Sequence, residues 1–542
     1  MRAALLPSVV GFALCALLGA GLIRASGPTY DEPVHLAAGY TDLVRGCCRL
    51  NTMDHPPLAE MWAALPLLAL RPDTFPAHPD WLDARVYHYG DLFLFRNKVP
   101  AARLLSAARL FNLLTLSALL SFLLCRWARR LDGAPASVGA ALALGACAPW
   151  HSNAALVTTD AASAALFFAA FAVLSERPRP AARWALAGAL AGAALAAKFN
   201  MILLPPLMAV CLLAEARVDR TARPQPLGPA LAALAAALTL AACYGFGSAG
   251  LWWKGLTATL ARLSEGRSAF LLGRHSIEGW WWYFPAALLV KTPLALLAAA
   301  GVGAWSARRL PRAELAWLLL PPTLYLGAAL TSKTQIGYRH VLPVYPFLVL
   351  LAGLGGAALW RRGAGGRAAA LGLAAWGAFA ALRAHPHHLA YFNELAALRG
   401  GGAAWLADSN LDWGQDLPAL AAELKARGNP VVVLSYFGSD NPAAAGLRFV
   451  PLATVSSVAR PGNAALEPGA PVLLAVSQTN RAAVYYRDKA LFSWLATRSP
   501  VAAPGGSIFL YDLTADGEGR SRLAALLAAS GRPGDAKTAM LH

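Results

Sequence analysis

Apolar runs long enough to cross a bilayer dominate this chain, and they restrict its fold to a bundle of membrane helices. Residues 4–23, 104–125, 154–175, 227–248, 284–305, 313–331, 341–360 and 367–383 are such runs. Shorter or interrupted runs occupy 136–150, 182–197 and 199–215. A span needs roughly 20 apolar residues, because every backbone N–H and C=O must be paired inside the hydrocarbon. Both kinds together give about eleven transmembrane helices. The composition agrees: 57% of the 542 residues are hydrophobic and 14% are charged, where a soluble domain carries roughly a quarter. The first run follows Arg2 and exceeds the ~7–15-residue core of a signal peptide, so it reads as a retained helix.

The net charge of +18 suggests nucleic acid until its placement is read. Arg126, Arg129 and Arg130 follow the second span, and Arg177, Arg179 and Arg183 lie between the fourth and fifth. Further clusters are Arg217, Arg220 and Arg223, then Arg308, Arg309 and Arg312, then Arg361, Arg362 and Arg367. Every second connection is thus short and basic, which is the positive-inside pattern. It predicts a multi-pass protein of the cell's inner (plasma) membrane with a cytoplasmic N-terminus and an external C-terminus. Nucleic acid is excluded as a partner. Cys15, Cys125, Cys147, Cys211 and Cys243 fall in or beside apolar runs, and adjacent Cys47 and Cys48 lack metal-ligand spacing.

Polar chemistry gathers on the outer side. The first external loop, 24–103, is long and rich in aromatics, Pro, His and Asp, and its segment 57–70 reads as an interfacial helix. Runs 182–197 and 199–215 form a hairpin that turns outside at Lys198-Phe199-Asn200. Trp252, Trp253 and Trp280-Trp281-Trp282-Tyr283 suit the headgroup level. After residue 384 the composition changes: 431–438, 471–477 and 507–513 read as strands, 416–428 and 481–497 as helices. The expected division is therefore a membrane domain 1–384, a small external α/β domain 385–515, and a tail 516–542 with one helix. His385, His387 and His388 form a short cluster that is not assigned a metal.

Taken singly, the polar motifs are bland. Asp31 can cap the helix that starts at Pro33, and Asp160 can cap the fourth span. Asp54-His55-Pro56-Pro57-Leu58 reads as a turn, and Lys198 and Lys291 as interfacial lysines. The ordered set is more specific. Asp31-Glu32 directly after the first span, then His55-Pro56-Pro57-Leu58, resembles the lipid-carrier-dependent glycosyltransferases of GT-C architecture. These include the protein O-mannosyltransferases and lipid A aminoarabinose transferases of glycosyltransferase family 39. Thr158-Thr159-Asp160, Lys198, Gly279-Trp280, Lys291-Thr292-Pro293 and Gly337-Tyr338-Arg339-His340 continue the resemblance. So do Tyr391-Phe392-Asn393-Glu394 and Asp408 through Asp416, and the match covers most of 1–420.

The resemblance implies a GT-C-like membrane fold and transfer of one sugar from a polyprenyl-phosphate donor to an external protein, lipid or glycan acceptor. It implies Asp31 as the base, supported by Glu32 and Asp160, with His55, Lys198, Lys291, Arg339 and His340 on the substrates. The chemistry of the residues agrees. Such a transfer needs a carboxylate to take the acceptor proton and cations to stabilise the departing phosphate. No phosphate-cradling glycine loop is present, and no nucleotide is needed. No metal ligand is assigned, although Asp31 with Asp160 would hold a divalent cation in an oligosaccharyltransferase-like enzyme using a diphosphate-linked donor. A transporter or flippase is the other alternative, and it should place ionisable residues at mid-span.

Overall fold

The computed structural model describes residues 2–219, 226–452 and 458–541. Arg220 and Arg223 of the third basic cluster lie outside them. Among the described residues, five helices are long and apolar enough to cross a membrane, and seven if each bent pair counts as one span. The shorter apolar helices Ala181–Ala197 and Leu227–Cys243 also sit on expected runs.

Breaks follow local chemistry. The helix Ala101–Gly145 carries two expected spans in one element, and it is interrupted at Asp132 and Gly133, where Gly133 takes φ 75°. Run 284–305, expected as one span, is instead the pair Tyr283–Lys291 and Leu294–Ala307, bent by 110°. Pro293 stands at that break and has no N–H to continue the ladder. The helices Ala148–Ala154 and Thr159–Leu174 bend by 116°, which opens the turn before Asp160. Segment 57–70 becomes two short helices, Leu58–Ala64 and Leu67–Leu70, divided at Pro66.

Close helix packing uses small residues, as it must where lipid offers no hydrophobic drive. A Cβ on Gly188 or Gly192 would meet the carbonyl of Ala232 or Ala236. One on Gly303 would stand 1.8 Å from the carbonyl oxygen of Leu351, and one on Gly355 2.0 Å from that of Ala299. The basic turns converge at one end of the bundle. There Arg130 pairs with Glu314, Arg126 with Glu176, Arg177 with Glu215 and Asp219, and Arg361 with Asp132.

At the other end lie the long first loop and the C-terminal domain. A hairpin of β1 (Ala269–Leu271) and β2 (Arg274–Ser276) precedes the domain. The domain's sheet contains β3 (Val432–Ser435), β4 (Phe449–Pro451), β5 (Leu473–Ser477) and β6 (Ile508–Asp512), in the order β4-β3-β5-β6. Strands β4, β3 and β5 are parallel and β6 is antiparallel. Both faces are covered, as parallel strands require. Leu417, Leu420 and Leu424 cover one face, and Leu523, Leu527, Ala536 and Ala539 the other. The stretch expected as a tail with one helix thus forms two, Gly517–Ala529 and Pro533–Ala539, which complete the domain. The helix expected over 481–497 is replaced by the turns Gln478–Arg481 and Ser493–Thr497. Val484 packs on Phe270 of the hairpin while Phe492 and Leu495 enter the sheet core, and one straight helix cannot serve both surfaces.

Gly303→Leu should force the helices Leu294–Ala307 and Tyr345–Trp360 apart. A cost of about 1–3 kcal/mol is expected for overpacking, read as a lowered unfolding temperature in detergent; an unchanged temperature would refute the close approach.

Candidate active site

The segment before helix Glu32–Arg45 is fixed from two sides. Gly27 N donates to the Gln415 carbonyl (2.9 Å) and Tyr30 N to that of Trp413 (2.8 Å). Ser439 Oγ donates to the carbonyls of Thr29 and Tyr30, each at 3.0 Å. Glu32 is enclosed: its carboxylate accepts from Arg109 Nε (2.8 Å) and Nη2 (2.5 Å), from Thr29 N (2.8 Å) and from Val157 N (2.8 Å). Arg109 also donates to the carbonyls of Ser26 and Gly27. Every oxygen of Glu32 is engaged inside the protein, so its place is to hold the loop.

Asp31 is different. It stands at the N-cap of helix Glu32–Arg45 but makes no side-chain capping bond. Its Oδ2 instead lies 3.3 Å from Arg339 Nη1, and about a quarter of the side chain is exposed. The same Nη1 is 3.6 Å from Asp160 Oδ2, and Asp160 Oδ1 accepts from the Lys198 ammonium. Asp160 occupies the first turn of helix Thr159–Leu174. Lys198 stands where helix Ala181–Ala197 ends in extended backbone, and Arg339 in the 3-10 turn Tyr338–Val344. Asp31, Asp160, Lys198 and Arg339, far apart in sequence, therefore form one network. A guanidinium occupies the space between the two carboxylates.

Polar atoms around this network lack partners. Asp160 Oδ2, Arg339 Nε, His340 Nε2 and His55 Nδ1 are buried without a hydrogen bond. Such an atom costs about 1–3 kcal/mol unless water or a ligand pairs with it. His55 meets His35 edge to face, with ring centroids 4.9 Å apart. His35 Nδ1 donates to Glu60 Oε1 (2.7 Å), which also accepts from Asn51 (2.5 Å). Burial opposes charge on His35, but the Glu60 hydrogen bond and the charges of Glu60, Asp31 and Asp160 together outweigh it and hold the ring above the ordinary histidine range. Burial and the charges of His35 and Lys198 hold His55 well below that range.

Lys291 does not join the cluster. Its ammonium donates to the carbonyls of Leu389 (2.9 Å), Tyr391 (2.5 Å) and Asn410 (2.6 Å), which uses all three protons. It leaves none for a phosphate and serves as a clamp between the membrane helices and the C-terminal domain. Asp412 and Asp416 are likewise engaged: Asp412 accepts from Thr479 N (2.7 Å), and Asp416 from Ser507 Oγ (2.7 Å) and His387 Nδ1 (3.2 Å). His385 Nδ1 and His388 Nε2 lie 3.4 Å apart and contact each other.

Sequence reasoning missed Arg267 and Tyr485, and it read Trp413 only as part of the 408–416 motif. The Arg267 guanidinium lies over the Tyr485 ring at 5.1 Å. Burial disfavours its charge, and Tyr485, Asp408 and Asp31 more than compensate. Asp408, buried and at φ 57°, accepts from Ser409 N (2.6 Å) and from the Tyr485 hydroxyl. The signal for Arg267 was its position in a loop already full of aromatic residues.

A bent helical bundle, a long first loop and a small α/β domain closing over acids and cations define a membrane protein of GT-C-like fold. Two crystal structures of ArnT from Cupriavidus metallidurans are similar to it. The one bound to undecaprenyl phosphate matches over 94% of this chain and 98% of its own, with a TM-score of 0.50 and 14% identity. The apo form matches over 93% and 97%, with a TM-score of 0.49 and 14% identity. No protein-family model and no curated protein matches the sequence.

Arg109→Ala would leave Glu32 charged and buried. A loss of about 3–5 kcal/mol is expected, measured as collapse of folded yield and unfolding temperature. A variant as stable as the parent would show that the loop before Asp31 is held by other means.

Proposed function

We propose that the protein is an inner-membrane glycosyltransferase that moves one sugar from a polyprenyl-phosphate donor to a hydroxyl or amine acceptor on the external side. The observation that carries this reading is the Asp31–Arg339–Asp160–Lys198 network, with unpartnered polar atoms around it at the end of the bundle opposite the basic turns. A lipid phosphate whose tail lies in the bilayer has its head at that level.

In the reaction, a lone pair of the acceptor oxygen or nitrogen forms a bond to the anomeric carbon. The bond from that carbon to the donor phosphate breaks, and its electron pair leaves with the polyprenyl phosphate. Asp31, the more open of the two acids, takes the acceptor proton. Arg339 binds the phosphate oxygens with its planar fork, which suits two oxygens at once. His340, His55 and Lys198 add donors, and negative charge grows on the phosphate as the bond breaks, so these groups favour the transition state over bound donor. Asp160 orients Lys198 and Arg339 and contributes no proton transfer. The acceptor is a protein, lipid or glycan, and the fold's resemblance to an undecaprenyl-phosphate-bound ArnT supports the lipid-linked donor.

Asp31→Asn keeps size and polarity and removes basicity. A rate loss on the order of a hundredfold or more is expected, read by loss of a panel of polyprenyl-phosphate sugars with purified enzyme; near-parental turnover in a folded variant would dismiss Asp31 as the base. The orientation has its own test. A cysteine at the exposed position 444 should react with membrane-impermeant reagents from outside and one at 220 should not, and the reverse pattern would move the site to the cytoplasm.

A further inference from the structure

Arg339 is held loosely by its charges. Its contacts to Asp31 and Asp160 are 3.3 and 3.6 Å, and its Nε has no partner. Contacts that long leave a guanidinium free to tilt, whereas two-oxygen recognition of a phosphate requires a fixed plane. The plane is set by a ring. The Arg339 Cζ lies 4.1 Å from the centroid of the Trp413 indole, a stacking distance for a cation on an aromatic face.

Trp413 is itself fixed, being 2% exposed. Its backbone N–H donates to Gln415 Oε1 (2.8 Å) and its backbone carbonyl accepts from Tyr30 N (2.8 Å), one residue before Asp31. The segment around it reaches Arg339 a second way. Asn410 Oδ1 accepts from Tyr338 N (2.9 Å), beside Arg339, and Asn410 Nδ2 donates to the Tyr283 hydroxyl (2.9 Å). Ser409 Oγ donates to the Ile336 carbonyl (2.7 Å), and Lys291 caps the Asn410 carbonyl. Asp412 and Asp416 tie the other side of the segment to the C-terminal sheet through Thr479 and Ser507.

We propose that Trp413 is the positioning residue for Arg339, and that through segment 408–416 the C-terminal domain sets the geometry in which the lipid phosphate is bound. This rests on the reading of Arg339 as the donor-phosphate ligand. The indole face holds the guanidinium flat, keeps water from one side of it, and leaves its N–H edges directed at the phosphate. It also explains why an external domain is built into the site rather than tethered beside it.

The test is a double-mutant cycle on binding of undecaprenyl phosphate to the full-length protein in nanodiscs, with undecaprenol as the phosphate-free control. Trp413→Phe keeps an aromatic face and should bind within about threefold of the parent. Trp413→Leu removes the face and should weaken binding about tenfold or more, with undecaprenol binding unchanged. In an Arg339→Lys background, Trp413→Leu should add less than about twofold, because coupled residues do not add. Equal losses in both backgrounds would make Trp413 a packing residue and overturn the proposal. Parental affinity in Arg339→Lys would instead overturn the phosphate reading of Arg339, and this inference with it. Unfolding temperatures identify any variant that fails to fold, and Trp413→Met replaces Trp413→Leu in that case, with the same two outcomes.

Discussion

The buried pair of Glu32 and Arg109 is the constraint on which the site depends. Its partners are two carbonyls of the loop before Asp31, a backbone N–H and hydroxyl of Thr29, and the N–H of Val157 at the start of the bend into Asp160. One ion pair thus locks together the entry to helix Glu32–Arg45 and the turn that opens the fourth span. An ion pair taken from water is unfavourable unless its remaining donors and acceptors are matched. Here they are, so the pair defines a single arrangement of the chain, with Asp31 and Asp160 on either side of Arg339.

Partner counts separate two sets of buried charges at the end of the bundle that carries the C-terminal domain. Glu32, Lys291, Asp412 and Asp416 are surrounded by donors or acceptors from the chain itself, and each joins separate pieces of structure. Asp160, Arg339, His340 and His55 keep an atom buried and unmatched. Charge and burial alone do not distinguish the groups, since both contain buried ions. The difference is whether the fold answers every polar atom.

That distinction explains what could be read from the sequence. The apolar runs gave the membrane helices because spanning length is a local property of composition, and the alternating arginines marked one end of the bundle. Asp31, Asp160, Lys198 and Arg339 were legible because each follows or opens a span on the same side. Lys291 stood in an equally suggestive position, yet it turns into three carbonyls from residues 389–410, a pairing with no trace in local sequence. Adjacent Asp31 and Glu32 look like one motif and point to different surroundings. Trp413 was visible only as part of a motif, since its value depends on a cation 74 residues earlier, a separation that no periodicity encodes. One of the two helices at 517–539, and their place in the domain, were hidden because the Gly- and Ala-rich sequence reads as a tail until a sheet face needs covering.

The contact of Ser439 with Thr29 spans 410 positions of the chain. Its consequence concerns the order of assembly during synthesis. The carboxylate of Asp31 is made among the first residues to emerge, and the spans enter the bilayer one after another behind it. Its loop receives its last restraints only when residues 413–439 have been translated and folded onto it. Until then the carbonyl of Trp413 and the hydroxyl of Ser439 are missing from the loop, and the Trp413 ring is missing from the face of Arg339. The geometry around Asp31 is therefore completed late, when residues 413–439 dock on its loop.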